Sequence, residues 1–109
     1  PLVRHSERRR AGNRGVADYL ITPGSASRLE VLETVVEPGA GSGDRPYSHP
    51  GDEECVVVLA GSLRFWIDET AYDLTVGDAV TLACRTPHRW RNCGLGPARA
   101  LWIITPPGY

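Results

Sequence analysis

A histidine and neighbouring carboxylates stand together in Tyr47-Ser-His-Pro-Gly-Asp-Glu-Glu-Cys55, at the mouth of an apolar run that closes on Gly61. Downstream, Thr86-Pro-His-Arg-Trp-Arg-Asn92 supplies a second buried-side candidate imidazole. Such groups are costly to bury unless something pairs with them or coordinates them. Two imidazoles and a carboxylate facing one interior are a donor set that Zn, Fe, Ni and Mn all accept. Pro50-Gly51 fits the central positions of a type II turn, which interrupts strand parity and frees His49 and Glu54 to share a face. From there Glu54, Val56 and Val58 alternate with Glu53, Cys55, Val57 and Leu59. Both faces are apolar, so alternation leaves Glu53 and Glu54 open as the inward carboxylate. In the second segment His88, Trp90 and Asn92 lie opposite Arg89 and Arg91, and solvated arginines put His88 inside.

The remaining reactive residue types read as bland. Cys55 and Cys84 are expected as small buried hydrophobes, and no nucleophile or other catalytic residue is assigned. There is no Ser/His/Asp pattern and no phosphate-cradling glycine loop for a hydrolase or nucleotide reading to rest on. Three cysteines without CxxC spacing argue against a disulfide framework and for reduced thiols in a cytoplasm. Arg8-Arg9-Arg10 reads as a solvated arm or interdomain strand, because a net charge of -1 gives no general pull toward nucleic acid. His5 reads as surface. Trp66, Trp90 and Trp102 read as core positions, with Trp90 beside His88 also suited to line a ligand pocket. No apolar run approaches the roughly 20 residues that span a bilayer, and no signal peptide is recognised, so no membrane partner is expected.

The elements that must position these groups are strands. Hydrophobic alternation has period two, and breakers recur at short intervals. Strands are expected over residues 16–21, 29–36, 54–60, 63–67, 71–74, 79–82, 88–91 and 98–105, about eight to ten in all. That is the pattern of an all-β sandwich or barrel. Asp68-Glu69 reads as a two-residue hairpin loop. Residues 4–14 are charged but carry no apolar stripe for a helix to bury. At 109 residues the chain is expected to be one domain, 1–109, with 1–15 an N-terminal arm or strand. It is long enough to bury roughly 65% of the surface its unfolded form exposes.

The spacing Gly41-x5-Tyr47-x-His49-x4-Glu54-x6-Gly61 resembles the first motif of the cupin family (41–61). Gly77-x5-Ala83-x-Arg85-x2-His88-x3-Asn92 resembles the second (77–92). Three positions depart from the family: Tyr47 stands where a metal histidine would be, Ala83 where a proline would be, and Arg85 where a glycine would be. The resemblance implies a double-stranded β-helix, or jelly-roll β-barrel. It implies metal ligands His49, Glu54 and His88, with Tyr47 as a fourth, and it favours Glu54 over Glu53. It further implies a pocket lined by Tyr47, His49, Glu54, His88, Trp90 and Asn92. The cofactor would be one divalent transition metal (Zn, Ni, Fe or Mn); the alternative is a metal-free polar cluster with its hydrogen bonds satisfied.

Val3-Arg4, Glu7-Arg-Arg-Arg10, the SHPGDEE and TPHRWRN segments and Ala100-Leu-Trp-Ile-Ile-Thr-Pro-Pro107 together resemble the C-terminal cupin of XRE-family helix-turn-helix transcriptional regulators. That resemblance implies a homodimeric, cytoplasmic module that senses a small-molecule effector. Contact with DNA would come only through an N-terminal helix-turn-helix that these residues do not contain. The alternative function is a small mononuclear metal-dependent cupin enzyme of the dioxygenase or isomerase type.

Overall fold

The computed structural model describes residues 1–108. A short 3-10 helix (His5–Glu7) leads into β1 (Arg10–Ala11), β2 (Val16–Leu20), β3 (Glu30–Val36), β4 (Glu53–Ala60), β5 (Leu63–Ile67), β6 (Thr70–Leu74), β7 (Ala79–Ala83), β8 (His88–Arg91) and β9 (Ala98–Thr105). These form a six-stranded sheet in the order β1-β2-β3-β9-β4-β7 and a three-stranded sheet in the order β6-β5-β8. Every pairing is antiparallel. This is the all-β architecture that the period-two pattern implies, in the jelly-roll form that the cupin resemblance implies.

Alternation decides what goes inside. Leu32, Thr34 and Val36 of β3, Glu54, Val56 and Val58 of β4, and Ala98, Ala100, Trp102 and Ile104 of β9 are buried. Leu63 and Phe65 of β5 and His88 and Trp90 of β8 are buried opposite them. Most of these are apolar, and their removal from water is the main favourable term in closing the barrel. The cost of the polar ones has to be met locally.

The N-terminal arm or strand is held against the sheet, and two other expectations change on inspection. Arg8 ion-pairs with Glu33 at 3.0 Å and its guanidinium lies 4.6 Å over the Tyr19 ring, while Arg9 O accepts from Leu20 N. Trp66 is only half-buried, because it lies on the outer face of β5, where Arg89 stacks over it at 3.6 Å. Pro50-Gly51 forms a bend and not a hydrogen-bonded type II turn: the Asp52 N–H that would close it donates to Thr105 O at 2.9 Å. The Asp68-Glu69 loop is as expected, with Ile67 paired to Thr70 and Asp68 at φ 52.

One connection matters most for the site. Isolated bridges pair Gly41 with Arg91 and Tyr47 with His88, laying residues 41–47 along the edge of β8. Tyr47 and His88 exchange both backbone hydrogen bonds at 2.9 Å. The approach is so close that a Cβ on Gly41 would stand 2.3 Å from Trp90 O and 2.8 Å from Arg91 Cα. Gly41→Ala is therefore expected to destabilise the fold by about 1–3 kcal/mol, a Tm loss of roughly 4–8 °C per kcal/mol. Gly96→Ala, which meets nothing within 4 Å, should leave the melting curve unchanged; both are read by calorimetry.

Candidate functional site

Glu54 enters the interior because β4 continues inward through Val56 and Val58, while Glu53, one residue earlier, is exposed. Its side chain is 1% exposed, yet it sits between two imidazoles. His49 Nε2 lies 2.6 Å from Oε2, and His88 Nε2 lies 3.3 Å from Oε1. The second contact is an ion-pair approach without hydrogen-bond geometry, so Glu54 Oε1 and His88 Nε2 are buried with no hydrogen-bond partner. His49 and His88 therefore do converge on one carboxylate, and Glu54 is the inward one.

The other ring nitrogen is tied down in both histidines. His49 Nδ1 lies 3.1 Å from Pro50 O and His88 Nδ1 lies 2.6 Å from Thr86 O. A carbonyl can only accept, so Nδ1 carries a proton in each ring. Each Nε2 is then aimed at the carboxylate. As a neutral ring's lone pair it would repel the oxygen. The contact is attractive only when a proton or another cation lies between the two atoms. Fixing Nδ1 on a carbonyl is also how proteins orient metal-binding histidines, so these residues fit a divalent metal. Among the described residues, the donor atoms that all lie within 4.8 Å of one another belong to His49, Glu54 and Cys84.

The electrostatics follow from this geometry. Burial alone would raise the Glu54 pKa, but His88 and His49 hold it below its ordinary value. Burial disfavours the His88 imidazolium, yet Glu54 and the Thr86 carbonyl raise its pKa. Burial also pushes the Tyr47 phenol up to about 12, against the opposing hydrogen bond from Trp90 and with the charges of Glu54 and Asp18 adding to it. The Cys84 thiol is raised by burial and by the Glu54 carboxylate beside it.

Beside the cluster lies a cavity of about 230 Å³. Its polar wall is Tyr47, His49, Glu54, Thr34 and Asp18; its apolar wall is Leu32, Trp90, Trp102, Ile104 and Gly108. Trp90 Nε1 donates to the Tyr47 hydroxyl at 3.0 Å, and the Trp90 and Trp102 rings are 5.0 Å apart. Thr34 Oγ1 donates to Asp18 at 2.6 Å. Of the residues named from the sequence, Tyr47, His49, Glu54 and Trp90 line the cavity. His88 stands behind, fully buried and 4.3 Å from the Tyr47 ring. Asn92 does not line the cavity: its Nδ2 donates to Val36 O and Gly96 O, and its Oδ1 accepts from Gly94 N. The wall residues missed in the sequence, Asp18, Leu32, Thr34, Trp102 and Ile104, come from β2, β3 and β9. Only the antiparallel register β2–β3–β9–β4 brings them beside Glu54.

A two-sheet antiparallel barrel with a buried His/Glu cluster at a small aromatic cavity has the architecture of the cupins. Residues 32–104 match the Cupin_2 (cupin domain) family, and the chain belongs to that family. The HTH-type transcriptional regulator PuuR of Escherichia coli (strain K12) is 30% identical over 96 residues, covering 87% of this chain and 51% of the regulator. The chain therefore spans about half the length of the PuuR relatives it matches. The solved Cupin_2 domain of an XRE family transcriptional regulator from Enterobacter cloacae has a TM-score of 0.74 at 26% identity, covering 86% of this chain and 99% of that one. A sugar phosphate isomerase from a cupin superfamily, from Silicibacter pomeroyi, has a TM-score of 0.72 at 28% identity, covering 85% of this chain and 60% of that one.

The opposite pKa shifts set a pH window for the metal-free chain. Glu54, lowered from 4.5, contributes stability that is complete above that value and lost as pH falls through its folded pKa. His88, raised from 6.5, contributes stability that is complete below that value and lost as pH rises through its folded pKa. Chelator-treated protein should melt highest between the two. His88→Gln should flatten the alkaline limb and, because His88 is the chief group lowering the Glu54 pKa, weaken the acid limb as well, as read from Tm against pH.

Proposed function

We propose that this chain is the effector-sensing and dimerising module of a helix-turn-helix transcriptional regulator. The observation that carries it is the cavity of about 230 Å³ whose wall holds both an aromatic pair and the His49–Glu54 pair. That volume lies below the range of about 300–1,000 Å³ typical of drug-sized ligands, which suits a small polar molecule. Trp90 and Trp102 would cover its apolar body, and Tyr47, Glu54, Asp18 and Thr34 would meet its polar groups. The likeness to PuuR and to the regulator cupin of Enterobacter cloacae supports this reading.

Dimerisation follows from the mechanics of such regulators, since two recognition helices read two operator half-sites. DNA contact and a cytoplasmic location belong to the whole regulator in the same reading. No helix among the described residues is long and apolar enough to cross a membrane.

A divalent transition metal (Zn, Ni, Fe or Mn), where bound, would be held by His49 and Glu54 with His88 against the carboxylate, and would offer a Lewis-acidic contact to the effector. The second reading is a small metal-dependent cupin enzyme. It is favoured by the 28% identity to the sugar phosphate isomerase and by the two imidazoles on one buried carboxylate.

Gel retardation separates the two readings. The isolated chain, with a net charge of -1 and no recognition helix among its described residues, should not retard its promoter fragment at physiological salt. The full gene product should retard it, and extract from effector-containing cells should release it. His88→Ala in that full product should leave retardation intact and abolish release. Specific retardation by the isolated chain, or no retardation by the full product, overturns the regulator reading.

A further inference from the structure

The donor set implied by the cupin resemblance is one histidine short, because Tyr47 occupies that position. Tyr47 fills that position with a phenol whose oxygen already accepts a hydrogen bond from Trp90 Nε1 at 3.0 Å. Cys84 is better placed. It is fully buried at the end of β7, and its Sγ lies within 4.8 Å of a ring nitrogen of His49 and a carboxylate oxygen of Glu54. Two neighbouring atoms, Glu54 Oε1 and His88 Nε2, are buried without a hydrogen-bond partner. The room for the sulfur comes from Gly51, at φ 135, where a Cβ would stand 3.1 Å from Sγ.

We propose that Cys84 is a metal ligand, its thiolate joining His49 and Glu54 in a mixed nitrogen, oxygen and sulfur site while His88 braces the second carboxylate oxygen. On binding, the thiol proton and the proton shared by His49 and Glu54 leave to solvent as the cation takes their place. A thiolate shifts preference toward zinc and away from manganese or magnesium, which favour all-oxygen surroundings. Three protein donors leave a fourth tetrahedral position, as in zinc sites that bind an exogenous group. That position deepens the sensor reading and rests on it, because it gives the effector a metal to contact.

Cobalt(II) alone, added to the reduced, metal-free chain, tests the ligand assignment without any effector. The wild type and Cys55→Ser, whose side chain lies on the opposite face of β4, should bind one cobalt with an intense near-ultraviolet thiolate-to-metal band. Cys84→Ser should lose that band, and its zinc affinity should fall more than about 100-fold, beyond the usual cost of losing an outer partner. Cobalt bound by the wild type without the band, or Cys84→Ser binding like the wild type, overturns the proposal. Near-ultraviolet circular dichroism establishes that the variant is folded; if it is not, Cys55→Ser with Cys93→Ser, which leaves Cys84 the one thiol, decides: a retained band supports the proposal and its loss overturns it. A wild type that binds no cobalt overturns the metal site and leaves the sensor reading standing, since effector release of DNA is read separately.

Discussion

The interior of this barrel is organised around one buried carboxylate. An uncompensated charge at Glu54, in the core beside Val56 and Ile104, would cost several kcal/mol. The structure instead places an imidazole against each oxygen and ties the far nitrogen of each imidazole to a backbone carbonyl. The arrangement needs something positive at its centre, a proton or a metal ion, and so couples the core to solution chemistry.

The sheets explain why the three groups meet. Glu54 is fixed by its register between Leu82 on β7 and Ile104 on β9. His88 is fixed by the pairing of β8 with β5 and by its reciprocal backbone bonds to Tyr47. His49 is held two residues beyond Tyr47 by its own N–H bond to Cys84 O. Each link is a backbone bond between distant parts of the chain, so the site depends on closure of the whole barrel and not on any local turn.

The sequence makes the strands legible because their alternation is local, and eight of the nine lie within a residue or so of their expected bounds. β1 escaped because two residues carry no periodicity, and its pairing with β2 depends on Gly12, Arg14 and Gly15 turning the chain with positive φ. Trp66 escaped because a tryptophan in an alternating strand looks like core, while its actual stabilisation is an arginine stacked on the outer face. In the sequence only motif spacing separates Glu54 from Glu53, since Cys55, Val57 and Leu59 make the outer face of β4 look as apolar as the inner. Cys84 gave no signal at all: its relation to His49 and Glu54 is created by the β4–β7 pairing, and nothing in its neighbours along the chain announces it.

Asn92 has a role that its place in the second motif does not suggest. Its amide joins the end of β8 to β3 and to the 94–96 loop. Four residues separate it from His88, about 13 Å of extended strand. The hydrogen bonds of Asn92 and the approach of His88 to Glu54 thus lie at opposite ends of β8. The bonds that fasten β8 to β3 therefore do not pass through the residues around Glu54.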